Sequence, residues 1–404
     1  MADIEWLDGG ITAVPGFLAG GVGAGIKPSG KKDLALIHSP TPARSAAVFT
    51  SNQVKGAPVL VSMEHARSGA AQAILASSGC SNVCTGERGV KDAREMTRTV
   101  ADLLRIPPTH VLIAATGVIG VPLPMDKVRA ALPRLVKALS PQGGRAAAEA
   151  IMTTDTRPKA AALRVDVNGR AVTMGAIAKG VGMLEPHLAT MFCFVATDAA
   201  VARGALSGVV RRAVERTFNR ATVDSDQSTS DTVAVLANGL AENRPVEAGG
   251  RGLPQFSLGL EALMGKLARM LVADGEGATK LVTITVRGAA SRKDALVAAR
   301  SVANSPLVKT AINGADPNWG RIMMALGKST ARIDQDKVAI AFGEEPLVER
   351  GVLGDGVRLD RIREIMGGQE YEITIDLGLG RGEDRVWTCD LSEEYVHING
   401  KYTT

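Results

Sequence analysis

The chain has 404 residues, 45% hydrophobic and 22% charged, which suits a globular protein of two or three domains, or one large α/β domain with a smaller companion. That composition excludes a disordered or collagen-like chain, and no apolar run reaches the roughly 18 residues a membrane span needs. The balance of 47 basic to 42 acidic residues is a diffuse +5, with only 7 Phe, 3 Trp and 3 Tyr, so the basic stripe and stacking surfaces of a nucleic-acid binder are missing and small anionic metabolites fit better.

In chain order, Ala46–Thr50, Pro58–Ser62 and Ile74–Ser77 read as short strands. The helical spacing of Val90, Ala93, Met96, Val100, Leu103 and Leu104 then predicts a helix lying on a sheet. His110–Thr116 reads as a buried strand ending at Gly117, and Met125–Leu139 as a second amphipathic helix. Strand, helix, strand, helix implies a layered α/β architecture. From Ala160 to Asp198 the pattern is mostly strand, with Phe192, Phe194 and Ala196 sharing one face. Ala205–Asn219, Thr229–Asn238 and Ser257–Leu271 carry helical spacing; Lys280–Arg287 is a strand, and Ser291 with Asp294 opens another helix as a partial capping box. Val338–Phe342, Tyr371–Leu377, Val386–Cys389 and Tyr395–Ile398 make a strand-rich end.

Cys80, Cys84, Cys193 and Cys389 are few for so long a chain, which fits a reducing compartment. The five histidines, His38, His65, His110, His187 and His397, lie too far apart for a zinc signature, and no metal is expected. The N-terminus is acidic where a targeting peptide would be basic, so a cytoplasmic protein is expected. Gly20–Ile26 lacks the spacing and the preceding strand of a dinucleotide loop and reads as a turn; Gly327-Lys328-Ser329 lacks the first glycine of a phosphate loop.

A different segment carries chemistry. Lys179-Gly180-Val181-Gly182-Met183-Leu184-Glu185-Pro186-His187-Leu188-Ala189-Thr190-Met191 compresses glycines and a proline just before a threonine that opens a buried strand. Alone, that threonine reads as a good strand former. Ala115-Thr116-Gly117-Val118-Ile119-Gly120 supplies a strand-ending turn with N–H groups and a hydroxyl, the parts of an oxyanion hole. Met152-Thr153-Thr154-Asp155-Thr156 and Asp274-Gly275-Glu276-Gly277-Ala278-Thr279-Lys280 place carboxylates and hydroxyls in loops.

Together with Gly30–Leu36, Asp224-Ser225-Asp226, Asn313–Arg321 and the end His397–Thr404, these segments resemble, in order and over the whole chain, the ornithine acetyltransferase (glutamate N-acetyltransferase) family. The sequence departs at Ser77 and Cys80, where the family favours Asn, at Val181, where it favours a small polar residue, and at Gln227, where it favours Thr.

The resemblance implies an α/β sandwich similar to N-terminal-nucleophile hydrolases, with a smaller C-terminal α/β domain over residues ~281–404. It implies cleavage between Ala189 and Thr190 into fragments 1–189 and 190–404, two of each assembling. Thr190 is then the nucleophile, Thr116 and Gly117 the oxyanion hole, and Thr153, Lys179, Thr190, Glu276, Asn399 and Thr404 the substrate contacts. The implied reaction moves acetyl from Nα-acetylornithine to glutamate through an acetyl-threonine enzyme, in arginine biosynthesis. Some members also take acetyl-CoA as donor; no cofactor, nucleic acid or membrane is implied. The alternatives are an amidase or aminopeptidase of the same self-cleaving architecture, or a non-catalytic binding protein.

Overall fold

The computed structural model describes residues 4–185 and 191–401, which form two compact units. The first comprises the chain up to Asn219 together with Asp226–Leu271; the second comprises Arg220–Ser225 and the chain from Val272 onward.

The first unit is built on nine strands: β1 (Ile4–Leu7), β2 (Leu18–Val22), β3 (Leu34–Phe49), β4 (Ala70–Cys80), β5 (Val111–Val118), β6 (Lys159–Val167), β7 (Arg170–Lys179), β8 (Phe192–Thr197) and β9 (Thr232–Ala237). They hydrogen-bond in the order β1-β6-β7-β8-β9-β3-β4-β5, with β2 on β3. Strand β3 joins two half-sheets. Its first half pairs with β2 and β4, and Arg44–Phe49 pairs with β9. The ladder to β4 breaks between His38 and Ala43. Pro40 and Pro42 lie in that gap and have no N–H to donate.

One core lies between the half-sheets, holding Ile37, Ile74 and Leu112 from one and Ile177, Phe192, Phe194 and Leu236 from the other. Leu36, Leu75 and Ile113 point the opposite way, toward Met96, Val100, Val128 and Leu132 of the helices Gly86–Leu104 and Met125–Lys137. Successive residues therefore serve opposite faces, as the period of two requires. The outer face of β6 and β7 takes the helix Leu253–Ala273, where a side chain added at Gly259 would touch Val165 and Met174. Helix, sheet, sheet, helix is the layered α/β sandwich expected from the sequence. Because β3 bends, the strand ends farthest from the bend face one another, and they carry the polar residues.

The second unit has β10 (Leu281–Ala289), β11 (Ala339–Phe342), β12 (Glu345–Glu349), β13 (Val352–Leu353), β14 (Glu370–Asp376) and β15 (Gly382–Cys389), ordered β13-β12-β11-β14-β10-β15. The helix Arg292–Ala303 supports that sheet, and Ser291 caps it by accepting from the Asp294 amide as its sequence suggests. No helix among the described residues is long and apolar enough to cross a membrane.

Four local expectations are corrected. Pro58–Ser62 lies in a helix, Ala57–His65, where Pro58 occupies the first turn and needs no partner for its missing N–H. Thr229–Asn238 contains β9 rather than a helix: Thr232–Ala237 is buried on both faces, so no alternation marks it as strand. Tyr395–Ile398 belongs to the helix Glu393–Gly400, whose first turn carries Glu393 and Glu394, favourable beside the helix dipole. Gly20 and Gly21 sit in β2 rather than in a turn; a Cβ at Gly21 would come within 2.1 Å of the Ala146 carbonyl oxygen, so glycine lets the helix Gly144–Ala150 rest on the strand backbone.

Candidate active site

Strands β4 and β5 run parallel, with Ser78 opposite Thr116 and Gly79 opposite Gly117. Gly117 has φ +124° and Gly79 φ +104°, and a Cβ at Gly117 would stand 2.4 Å from the Gly79 carbonyl carbon. Only glycine allows that approach. The buried Thr116 side chain precedes this bare backbone.

Opposite, β7 ends at Lys179, which is 2% exposed. Its Nζ donates to Thr153 Oγ1 at 2.8 Å and makes a long 3.5 Å contact to Thr116 Oγ1. Because the ammonium approaches the lone-pair side of Thr116, the hydroxyl proton is left for another acceptor. Behind Lys179 lies Asp155, whose Oδ2 is 3.9 Å from Nζ, while its Oδ1 accepts from Lys159 Nζ at 2.7 Å. Its carboxylate also accepts from the Thr153 amide at 3.0 Å and the Gly180 amide at 3.0 Å. Burial opposes the Asp155 charge, yet Lys179, Lys159 and these hydrogen bonds outweigh it and hold the carboxyl below the ordinary range. Asp155 is thus no exposed reader of substrate. It fixes the Thr153 loop and the end of β7 together.

Three predicted residues, Thr116, Thr153 and Lys179, therefore meet at one place, with Gly117 beside Thr116. Glu276 and Asn399 meet in the second unit, where Asn399 Nδ2 donates to Glu276 Oε2 at 2.8 Å. The loop carrying Glu276 is fastened by Asp390, which accepts from the Thr279 amide at 2.8 Å, Thr279 Oγ1 at 2.6 Å, the Lys280 amide at 3.0 Å and Asn313 Nδ2 at 2.7 Å. Ala189, Thr190 and Thr404 lie outside the described residues. Among the described residues no group of His, Cys, Asp or Glu is arranged to hold a metal. Of the departing residues, Val181 is buried, Cys80 contacts the Val121 carbonyl at 3.1 Å, and Gln227 donates to Ser51 at 2.6 Å.

Sequence reasoning missed two neighbours. Lys27 follows a loop gathered by the buried Asp33, whose carboxylate accepts from the Ala24, Ile26 and Lys27 amides. Its stem crosses Gly79, and burial, with the Lys179 charge adding to it against Asp33, lowers its pKa to about 8. Asp231, fully buried at the head of β9, accepts the Met191 amide at 2.8 Å on Oδ1. The signal for Lys27 was its closeness to the Gly30–Leu36 segment; Asp231 was hidden by reading its surroundings as a helix.

Residues 18–404 match the model of the ArgJ family. The chain is 48% identical over 405 positions to the arginine biosynthesis bifunctional protein ArgJ of Symbiobacterium thermophilum, covering 99% of this chain and 100% of that protein. It is 47% identical to the protein of the same name from Geobacter sulfurreducens, covering 97% and 100%. Among solved structures it is similar to the arginine biosynthesis bifunctional protein argJ from Bacillus halodurans, at 38% identity and a TM-score of 0.50, over 52% of this chain and 98% of that one. Matched along nearly its full length by a family model and by such relatives, the chain belongs to the ArgJ family.

Proposed function

We propose that this protein is a self-cleaving acetyltransferase of arginine biosynthesis that moves acetyl from Nα-acetylornithine to glutamate through an acetyl ester on Thr190. The observation that carries this reading is the meeting of Thr116, Thr153 and Lys179 beside the bare Gly79–Gly117 backbone in a chain of this family. The name shared by the relatives supports the pathway. The Bacillus halodurans chain, matched over 98% of its length yet spanning 52% of this one, is what one product of a chain cut near its middle would look like.

In this mechanism the Thr190 hydroxyl attacks the Ala189 carbonyl, the acyl group shifts from nitrogen to oxygen with the Thr190 nitrogen leaving as a free amine, and hydrolysis of the resulting ester releases the Ala189 carboxylate and restores the Thr190 hydroxyl. That amine, with an ordinary pKa near 8, serves as base for the neighbouring hydroxyl, so no His/Asp pair is required. Thr190 then takes acetyl, ornithine leaves, and the amine of glutamate attacks the ester. Thr116 and the Gly117 N–H hold the oxyanion of each tetrahedral intermediate, a contribution of about 3 kcal/mol per donor. Lys179 pairs with the α-carboxylate common to both amino acids; Thr153, Asn399 and Thr404 complete the contacts, and Glu276 takes the ornithine ammonium. The chemistry needs no cofactor, and acetyl-CoA is a second donor. The working assembly contains two of each fragment in the cytoplasm.

Acetyl-labelled acetylornithine, offered with and without glutamate, tests the reading. Label on glutamate is expected. Free acetate as the main product in both cases would establish an amidase, and no turnover with an uncut chain would establish a binding protein.

A further inference from the structure

The two amino acids of the proposed reaction share an α-carboxylate and differ at the other end, where ornithine carries an ammonium and glutamate a second carboxylate. Glu276, assigned to the ammonium, would repel that carboxylate. Glutamate therefore calls for a cation that acetylornithine does not use. One lysine in the first unit, beside the bare backbone of the candidate site, has no acid of its own.

That lysine is Lys27. Its loop is gathered by Asp33, which is 0% exposed and accepts the Ala24 and Ile26 amides at 2.6 Å each and the Lys27 amide at 3.1 Å. The Asp33 carbonyl accepts the Ser78 amide at 2.9 Å, which ties the loop to β4 next to Gly79. A side chain added at Gly79 would meet Lys27 Cγ at 3.0 Å and the Lys27 backbone nitrogen at 3.3 Å, and Gly79 stands opposite Gly117 in the ladder. The Lys27 stem thus crosses the backbone next to Thr116, whose hydroxyl lies 3.5 Å from Lys179 Nζ.

The neighbouring lysines differ from it. Lys32 pairs with Glu149 at 2.7 Å and Lys159 with Asp155 at 2.7 Å, whereas Lys27 has no ion-pair partner among the described residues. Its Nζ donates to the Lys32 carbonyl at 2.8 Å. An ammonium has three N–H donors, so that bond leaves donors for a ligand. Burial lowers the Lys27 pKa to about 8; the Lys179 and Lys31 charges push the same way, against Asp33 and Asp155. A half-buried cation repelled by a second one gains from an incoming anion.

We propose that Lys27 is the specificity-determining residue for the acetyl acceptor: its ammonium binds the side-chain carboxylate of glutamate while Lys179 holds the α-carboxylate. This rests on the reading of the protein as an acetyltransferase from acetylornithine to glutamate. Acetylornithine, with one carboxylate, uses Lys179 alone.

Glutamine is the probe, because it has the size of glutamate without the charge. Wild type, K27M and K27R are compared with acetylornithine as donor and glutamate or glutamine as acceptor. K27M is expected to lower the ratio of kcat/KM for glutamate over glutamine about 10-fold or more, through KM for glutamate, with a smaller change in KM for acetylornithine. In the wild type kcat/KM follows the groups of the free protein, so the ratio should fall as pH rises through about 8 and Lys27 loses its proton. In K27R the ratio should hold over the same range, since arginine stays protonated. Both acceptors attack through an α-amine, whose titration largely cancels in the ratio. An unchanged ratio in K27M would overturn the inference. If K27M fails to fold, the same pH dependence in wild type and K27R would overturn it equally. A wild-type protein that moves no acetyl to glutamate would instead overturn the functional reading itself.

Discussion

Each unit buries an acidic side chain between two basic ones, and the two clusters are built differently. In the second unit Asp384 receives two bonds from the Arg220 guanidinium, at 2.9 and 3.1 Å, and one from Arg292 at 3.0 Å. Planar forks matched to a carboxylate leave little freedom. In the first unit Asp155 is flanked by two lysines at unequal distances, 2.7 Å for Lys159 and 3.9 Å for Lys179. A lysine is a point charge on a rotatable stem, and Lys179 reaches past its carboxylate to two hydroxyls. A cluster that only ties chain segments together saturates its acid with arginine. In the proposed mechanism Lys179 meets the substrate carboxylate, and Asp155 stands behind it rather than saturating it.

The sharpest way to break this contrast is Thr190→Ala. The protein should remain one 404-residue chain on denaturing electrophoresis, without acetyl transfer, while the second unit and its arginine fork are untouched. Next come the two acids themselves. Asp155→Asn and Asp384→Asn should each cost about 3–5 kcal/mol in denaturant unfolding, because each leaves buried cations short of a partner. Only Asp155→Asn should also depress turnover of the molecules that remain folded, through a displaced Lys179; equal loss of turnover in both would erase the distinction. Thr116→Ala should lower kcat by about 10²-fold, about 2.7 kcal/mol, with a smaller change in KM. A change in KM alone would make Thr116 a ground-state contact. The mildest effect concerns pH. Asp155 and Asp384 both have carboxyls held below the ordinary range, so their contribution is complete above that range and lost as pH falls through and beneath it. Acid unfolding monitored by circular dichroism should become shallower in either Asn variant.

Much of this contrast was readable in the residues. The amphipathic pattern of Val90–Leu104 and Met125–Leu139 located two covering helices because one face of each meets the core, although Leu103 proves exposed. Phe192, Phe194 and Ala196 share a face as their spacing indicated. Strand β9 was not legible, since six consecutive buried residues carry no period of two, and with it went the significance of Asp231. Nor could the bend in β3 be read: Pro40 and Pro42 mark a break in pairing but not the exchange of partners across it. Thr116, Thr153 and Lys179 were named through motif resemblance, whereas the burial of Asp155 and its approach to Lys179, 24 positions later, are products of tertiary packing that no local spacing encodes.

The six-residue passage Arg220–Ser225 has a consequence for the order in which the molecule is made. The chain enters the second unit there and goes back to the first for Asp226–Leu271 before the rest of the second unit is synthesised. Arg220 must await Asp384, 164 positions later in the chain. At ribosomal rates that interval is on the order of ten seconds or more. Throughout it the guanidinium can remain hydrated while the first sheet forms, so this stretch joins its final neighbours only near the end of translation. Expressing the first 271 residues alone would leave the same arginine permanently without its acid.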